Sequence, residues 1–212
     1  IDLAATTLAL AGVPIPAHMT GRVLIGGSGP VASKQSYRVA AALFHREVFA
    51  SYPDQVIVVR LTCDRPGGLS CEATLSREAE ATTWTLDDRT LVMMTQLDNG
   101  TGLTCWTELR VLLDGGSSHQ TVDSLTVEDA DAVTLLISAI TSYREDDPQI
   151  VCQANLDAVQ EKDYMQILAD HLVDHRELFC RTTLDLGATD ATESSPTDER
   201  LTSVQKGVID RG

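Results

Sequence analysis

From about residue 45 to residue 141 the chain is a succession of short apolar runs, each closed by turn residues, and this spacing constrains the fold more than any other feature. Gln55–Leu61 (QVIVVRL) is β-branched and nearly continuous, the pattern of a strand buried on both faces. Leu69–Leu75 alternates and follows the turn Asp64-Arg65-Pro66-Gly67-Gly68. Leu91–Gln96, Leu103–Leu113, Ser124–Val127 and Ala132–Ile140 read as further strands, with turn signals at Asp98-Asn99-Gly100 and Asp114-Gly115-Gly116. Strands this short and this evenly spaced predict a mainly β fold, an antiparallel β-sandwich, rather than a βαβ sheet. Val56, Ile57, Val59, Leu61, Val111, Leu135 and Ile137 are the expected core.

The flanks differ from this middle. Residues 1–13 place Leu3, Thr7, Leu10 and Ala11 at helical spacing, with Asp2 as N-cap and Gly12 as stop, and Pro14 and Pro16 break the helix. Residues 26–36 (GGSGPVASKQS) have the composition of a linker and set the main boundary. After Pro148 the apolar period changes from two to 3.6, which predicts helices that leave the sandwich. One short helix is expected at Asn155–Val159, and a longer one at Asp163–Arg181 with Tyr164, Ile167, Leu168, His171, Leu172 and Leu178 near one face. Thr183–Leu186 is a short apolar connector, 188–198 a polar loop, and Thr197–Gly207 a further helix with early acids Asp198 and Glu199. The expected organisation is therefore a segment 1–25, a linker 26–36, a β-sandwich 37–145 and a helical region 146–212.

Charge narrows the function classes. Sixteen Lys and Arg against 31 Asp and Glu give a net charge of −15, unlike the clustered basic surface that phosphate binding needs, so no nucleic-acid partner is expected. No apolar run reaches the ~20 residues of a membrane helix, so no membrane partner is expected either. Two Trp and four Tyr leave few side chains for stacking on sugar rings. The five cysteines, 63, 71, 105, 152 and 180, form no CxxC or Cys/His cluster, which argues against zinc, and at most two disulfides can form among them. Ile1 follows no basic n-region and apolar h-region, so a signal peptide is not in view.

Few residues suggest chemistry. His171 and His175 have the i, i+4 spacing of two metal ligands, but Leu172 stands where the HExxH motif has its general base. The competing reading is one half-buried and one solvated histidine. Glu145, Asp146 and Asp147 offer paired carboxylates, or simply a solvated acidic turn before Pro148. Pro196-Thr197-Asp198-Glu199-Arg200 reads as a helix N-terminus. Gly26-Gly27-Ser28-Gly29 lacks the Lys-Ser/Thr of a phosphate loop, and Ser138 and Ser142 lack a G-x-S-x-G elbow.

Two stretches resemble known families. Ile1–Ile25, through Asp2-Leu3, Leu10-Ala11-Gly12-Val13-Pro14 and Gly21-Arg22, resembles the C-terminal region of type I sulfatases, without that family's nucleophile motif or calcium-binding acids. From about Arg46 to Gly212 the chain resembles the N-terminal domain of glycoside hydrolase family 95, the α-L-fucosidases with some α-L-galactosidases. The motifs are the run Arg46–Leu61, then Leu109-Arg110-Val111 with Asp114-Gly115-Gly116, Leu125–Asp131 and Thr141-Ser142-Tyr143-Arg144. The helical part matches at Tyr164, Leu168, His171, Asp174, Leu178-Phe179, Leu184-Asp185-Leu186-Gly187 and Pro196–Leu201. His175 stands where the family has Tyr, Tyr37-Arg38 is the remnant of a longer family segment, and the family's opening strands are absent.

The resemblance implies a supersandwich-type but incomplete β domain, followed by a helical linker toward an (α/α)6 barrel. The barrel of such enzymes carries the general acid and the residues that activate water for inverting hydrolysis. No position of this sequence matches those residues, so no catalytic, cofactor-binding or metal residue is assigned and no cofactor is expected. The implied function is a non-catalytic piece of a carbohydrate-degrading hydrolase, inactive alone, meeting carbohydrate through the full-length enzyme, with a periplasmic or secreted location suggested by the family. A free-standing sandwich that binds glycans or a protein, and a sulfatase-related protein, are the alternatives. Exposed Trp84 and Trp106 in one groove would favour the binding module; both in the core would favour the structural piece. The segment 1–25 is expected to pack poorly on the rest, its apolar face lacking a partner sheet.

Overall fold

A computed structural model describes residues 33–39, 42–183 and 196–208. The segment 1–25 with its predicted helix, the glycines at 26–29 and the connector from Leu184 lie outside the described residues. The chain divides into two compact units, Ile1–His175 and Arg176–Gly212.

In the first unit the turn-punctuated runs form ten strands: β1 (Ser33–Val39), β2 (Ala42–Ser51), β3 (Val56–Cys63), β4 (Leu69–Thr74), β5 (Ala81–Asp87), β6 (Thr90–Gln96), β7 (Thr104–Asp114), β8 (Ser117–Gln120), β9 (Ser124–Ala130) and β10 (Ala132–Thr141). They make a seven-stranded sheet in the order β1-β2-β3-β10-β7-β6-β5 and a three-stranded sheet β4-β9-β8. Every pairing is antiparallel. The fold is mainly β, an antiparallel sandwich followed by helices. Ser33–Ser36, expected in the linker, instead lie in β1, paired with β2 from Ser33 opposite Val48 to Ser36 opposite His45. β1, β2, β5 and β8 are the strands that the sequence reading passes over; β1, β5 and β8 carry few apolar residues.

The two-residue side-chain period sorts the strands into two layers. Val59, Leu61, Leu109, Val111, Val133, Leu135 and Ile137 of the large sheet pack against Leu69, Ala73, Leu125 and Val127 of the small one. The opposite face of the large sheet presents Phe49, Val56, Val58, Val92, Trp106 and Leu136. Gln55–Leu61 is thus buried on both faces over most of its length, as its continuous apolar run requires. Ile57 departs from expectation and is 37% exposed. By period it shares the face of Val59, opposite Ala50 and Ile137, in the second position of β3.

The Asp114-Gly115-Gly116 turn is set by close approach. Gly116 has φ +68°, and a Cβ there would stand 2.3 Å from the Glu128 carbonyl oxygen, so only glycine lets β8 lie against β9. Asp98–Gly100 forms a single 3₁₀ turn between β6 and β7, with Asp98 and Asn99 both at positive φ.

The first helix begins earlier than the hydropathy pattern suggests and does not leave the sandwich, whereas the other two begin within a residue of expectation. Helix α1 is Pro148–Gln160, not Asn155–Val159. Asp147 accepts the Ile150 backbone N–H at 3.2 Å and Pro148 takes the first helical position, where its missing N–H is not needed. Pro148, Cys152, Leu156 and Val159, spaced at one face, are buried, the last three against the large sheet's outer side. Helix α2 is Tyr164–Phe179. Its start is a reciprocal cap in which Asp163 Oδ1 accepts from the Gln166 N–H at 2.9 Å and Gln166 Oε1 from the Asp163 N–H at 3.0 Å. It buries Ile167 and His171 only. In the second unit, α3 (Thr197–Gln205) follows the expected helix start at Pro196 and buries nothing.

Candidate functional site

The polar groups with most structure around them lie where the large sheet meets its helices. On β7 the even-numbered residues face α1. Glu108 is almost closed to solvent, at 1% exposure, yet carries a carboxylate. Arg110 Nε donates to Glu108 Oε1 at 2.9 Å, and Trp106 Nε1 lies 3.4 Å from Glu108 Oε2. Arg110 Nη1 reaches across to α1, donating to Asp157 Oδ1 at 2.6 Å and to Gln160 Oε1 at 3.0 Å. Burial works against the Arg110 charge, but Asp157 and Glu108 more than offset it and hold the guanidinium pKa above its ordinary value. A cleft of about 510 Å³ opens beside this group, edged by Leu86, Asp87, Arg89, Gln153 and Gln160. Asp87 in that cleft accepts from the Arg89 N–H at 2.8 Å and the Thr90 hydroxyl at 3.2 Å.

A second cleft, of about 530 Å³, lies between β3, β10 and the start of α2. Arg60 spans it, donating to Thr134 Oγ1 and to Asp114 Oδ2, each at 2.7 Å, with its guanidinium carbon 4.9 Å from the centre of the Tyr164 ring. Burial, and then Glu47, push the Tyr164 phenol up to about 12. At the α1–α2 corner Lys162 Nζ bridges Asp170 and Asp54, 2.7 Å from each, and these carboxylates raise its pKa to about 12.

Glycoside hydrolysis requires an acid and a base or nucleophile on opposite sides of the glycosidic bond, with room for the sugar between them. Glu108 and Asp87 are each engaged by neighbours of their own chain. Their visible work is holding α1 to the sheet and closing the β5–β6 turn.

The residues singled out by sequence fall mostly into structural roles. His171 and His175 have ring centres 6.0 Å apart, and among the described residues no three His, Cys, Asp or Glu side chains converge as a metal site. His171 is 5% exposed and stacks on Phe49 at 4.8 Å. Asp147 caps α1, while Glu145 and Asp146 are exposed. Ser138 is buried, donates to the Gln55 carbonyl at 3.3 Å and accepts from Asn155. Ser142 Oγ accepts the Thr104 N–H. All five cysteines are free thiols, and burial raises those of Cys71 and Cys152 to about 11. Trp106 is in the core, and Trp84 is half-buried against it, edge to face with ring centres 5.5 Å apart. Among the described residues no helix is long and apolar enough to cross a membrane. Sequence reasoning missed the Glu108–Arg110–Asp157 group; the signal was a charged pair two apart inside an otherwise apolar strand.

The described residues thus form a ten-stranded antiparallel sandwich whose larger sheet carries helices on its outer face. The model of the glycosyl hydrolase family 65 N-terminal domain matches residues 31–146, more than half the chain, and the chain belongs to that family. It is 28% identical over 207 residues to Alpha-L-fucosidase 2 of Arabidopsis thaliana, a match covering 81% of this chain and 25% of that protein. The chain thus spans about a quarter of the length of this curated relative. A solved structure named "Putative kojibiose phosphorylase from human microbiome" is similar over 69% of this chain and 23% of its own, at 8% identity and a TM-score of 0.46.

Proposed function

We propose that this chain is the non-catalytic β domain of an α-L-fucosidase-type glycoside hydrolase of the family 95 kind, and that it supports a catalytic domain rather than carrying out hydrolysis. The observation that carries this reading is the placement of the two tryptophans. Trp106 packs under α1 with Leu136 and Leu156, and Trp84 leans on it edge-on. A glycan-binding sandwich would present such rings flat and open to a sugar face; here they are spent on the seam between sheet and helices. The likeness to Alpha-L-fucosidase 2 supports the fucosidase side of the proposal. The acid and base of hydrolysis come, on this reading, from a helical barrel, with the residues after the sandwich leading toward it. Carbohydrate is met through that barrel. The sulfatase reading of residues 1–25 gains no support from the family match, which begins at residue 31.

The test is turnover of a nitrophenyl α-L-fucoside by the purified chain, with affinity electrophoresis in fucan gels alongside. The expected result is hydrolysis no faster than buffer and unretarded migration. Hydrolysis well above buffer that is abolished by Asp146→Asn or Asp147→Asn would overturn the proposal, and retardation abolished by Trp84→Ala would favour the binding module.

A further inference from the structure

Helix α2 is held to the sheet by a narrow contact. Only Ile167 and His171 are buried along its sixteen residues. Its outward side is open, with Met165 and Val173 exposed among polar residues such as Gln166 and Asp170. One of its two buried side chains is therefore an imidazole, lying at a stacking distance and a 26° interplanar angle on Phe49 of β2. His171 Nε2 is buried and has no hydrogen-bond partner. A neutral imidazole can leave a ring nitrogen unpaired at modest cost, but an imidazolium there would bury an N–H with nothing to accept it.

From this geometry we infer that the seat of α2 on β2 is a proton-operated latch: His171 holds the helix down while its ring is neutral, and mild acid releases α2 from a sandwich that stays folded. The charged and titratable groups facing the contact can be named from each side. Asp54, in the turn between β2 and β3, and Asp174, on α2, favour the proton, as does the Ala50 backbone of β2, while His175 opposes it. One turn toward the helix start, Glu47 of β2 and Arg60 of β3 surround Tyr164. Desolvation is the largest influence, followed by His175, and the balance places the His171 pKa below the ordinary histidine value.

The sign follows from linkage. With α2 released, His171 meets water and takes up a proton near its ordinary pKa of ~6.5; docked, it does so only at lower pH. Docking is at full strength above about pH 6.5, weakens as pH falls from there toward the docked-state pKa, and levels off below it. Within that window up to one proton is taken up per release, so the opening equilibrium shifts by at most about tenfold per pH unit. The buried side chains of α1, Pro148, Cys152, Leu156 and Val159, include no imidazole.

The experiment is residue-resolved amide hydrogen exchange on the full chain from about pH 7.5 to 5, with the imidazole nitrogens of His171 followed by NMR over the same range. Protection factors across Tyr164–His175 should fall toward tenfold per unit below about pH 6.5, while those of β10 and α1 hold, and the His171 titration should follow the same curve. His171→Phe keeps the stack on Phe49 without a titrating group and should leave α2 protection flat across the window. His175→Gln should move the release to lower pH. Equal loss of α2 protection in wild type and His171→Phe would overturn the latch. Should that variant fail to fold, a wild-type His171 that titrates at its ordinary value with α2 still protected would overturn it equally.

Discussion

The two faces of the seven-stranded sheet are covered by different means. Toward the small sheet, Leu109, Val111, Leu125, Val127 and Leu135 close on one another as aliphatic surfaces, the non-directional burial that drives sandwich formation. Toward the helices, Leu136, Cys152, Leu156 and Ile167 share the seam with Glu108, Arg110, Trp106 and His171. Aliphatic contact tolerates many relative placements of two layers. A guanidinium fork between β7 and α1, and a lysine between Asp54 and Asp170, tolerate few. The inner face buries the larger apolar cluster, and the outer face adds directional contacts to the helices.

Substitution at adjacent residues of β10 is the strongest way to break this comparison. Leu135 and Leu136 are both fully buried and face opposite layers. Leu135→Ala should cost about 3–4 kcal/mol in urea unfolding, because two sheets cannot close on the cavity. Leu136→Ala should cost less, about 2–3 kcal/mol, since a helix can settle toward the void. Equal costs would mean that both faces are equally rigid.

A smaller and more local effect is expected at the ionic seam. Arg110→Met leaves the Glu108 carboxylate buried without its cation and should cost about 2–3 kcal/mol, somewhat under the usual figure for a broken buried pair because Asp157 is exposed. The double variant with Glu108→Leu should recover most of that stability. It should lose the ordering of α1, read as faster amide exchange at Val151–Val159 with the strands unchanged. Full protection of α1 in the double variant would show that aliphatic contact alone sets its position.

Removing the cap of α1 sharpens the comparison at its smallest scale. Asp147→Ala loses one bond to the Ile150 N–H and should cost about 1 kcal/mol, while Asp147→Asn should be nearly neutral. Fraying should be confined to the first turn of α1.

Much of the sandwich was legible in the chain. The runs at Val56–Leu61, Leu91–Gln96 and Ala132–Ile140 became strands within a residue or two, because β-branched and aliphatic runs between turn residues have few other ways to bury themselves. The start of α1 is misplaced by sequence alone: the acids before Pro148 read as a solvated turn and the helix as beginning at Asn155, whereas Asp147 caps a helix that begins at Pro148. The Glu108–Arg110–Asp157 group was not legible, since residues 108 and 157 come from a strand and a helix 49 positions apart (157 − 108) and nothing local marks them as neighbours. His171 was legible as half-buried and proved fully so, which depends on Phe49 of a strand more than a hundred residues away.

What the sequence determined by itself, then, was the alternation and the punctuation. Period-two runs made the strands, Gly116 and its neighbours made the turns, and the change of period after Pro148 made the helices. Tertiary structure decided what covers each face. A run such as Val56–Leu61 states that both sides are buried but cannot name the partners, because hydrophobic burial is non-directional and any apolar layer satisfies it. Only the assembled layers put a sheet against Val59 and helices against Val58, left Ile57 uncovered, and sealed a carboxylate and an imidazole into the same seam.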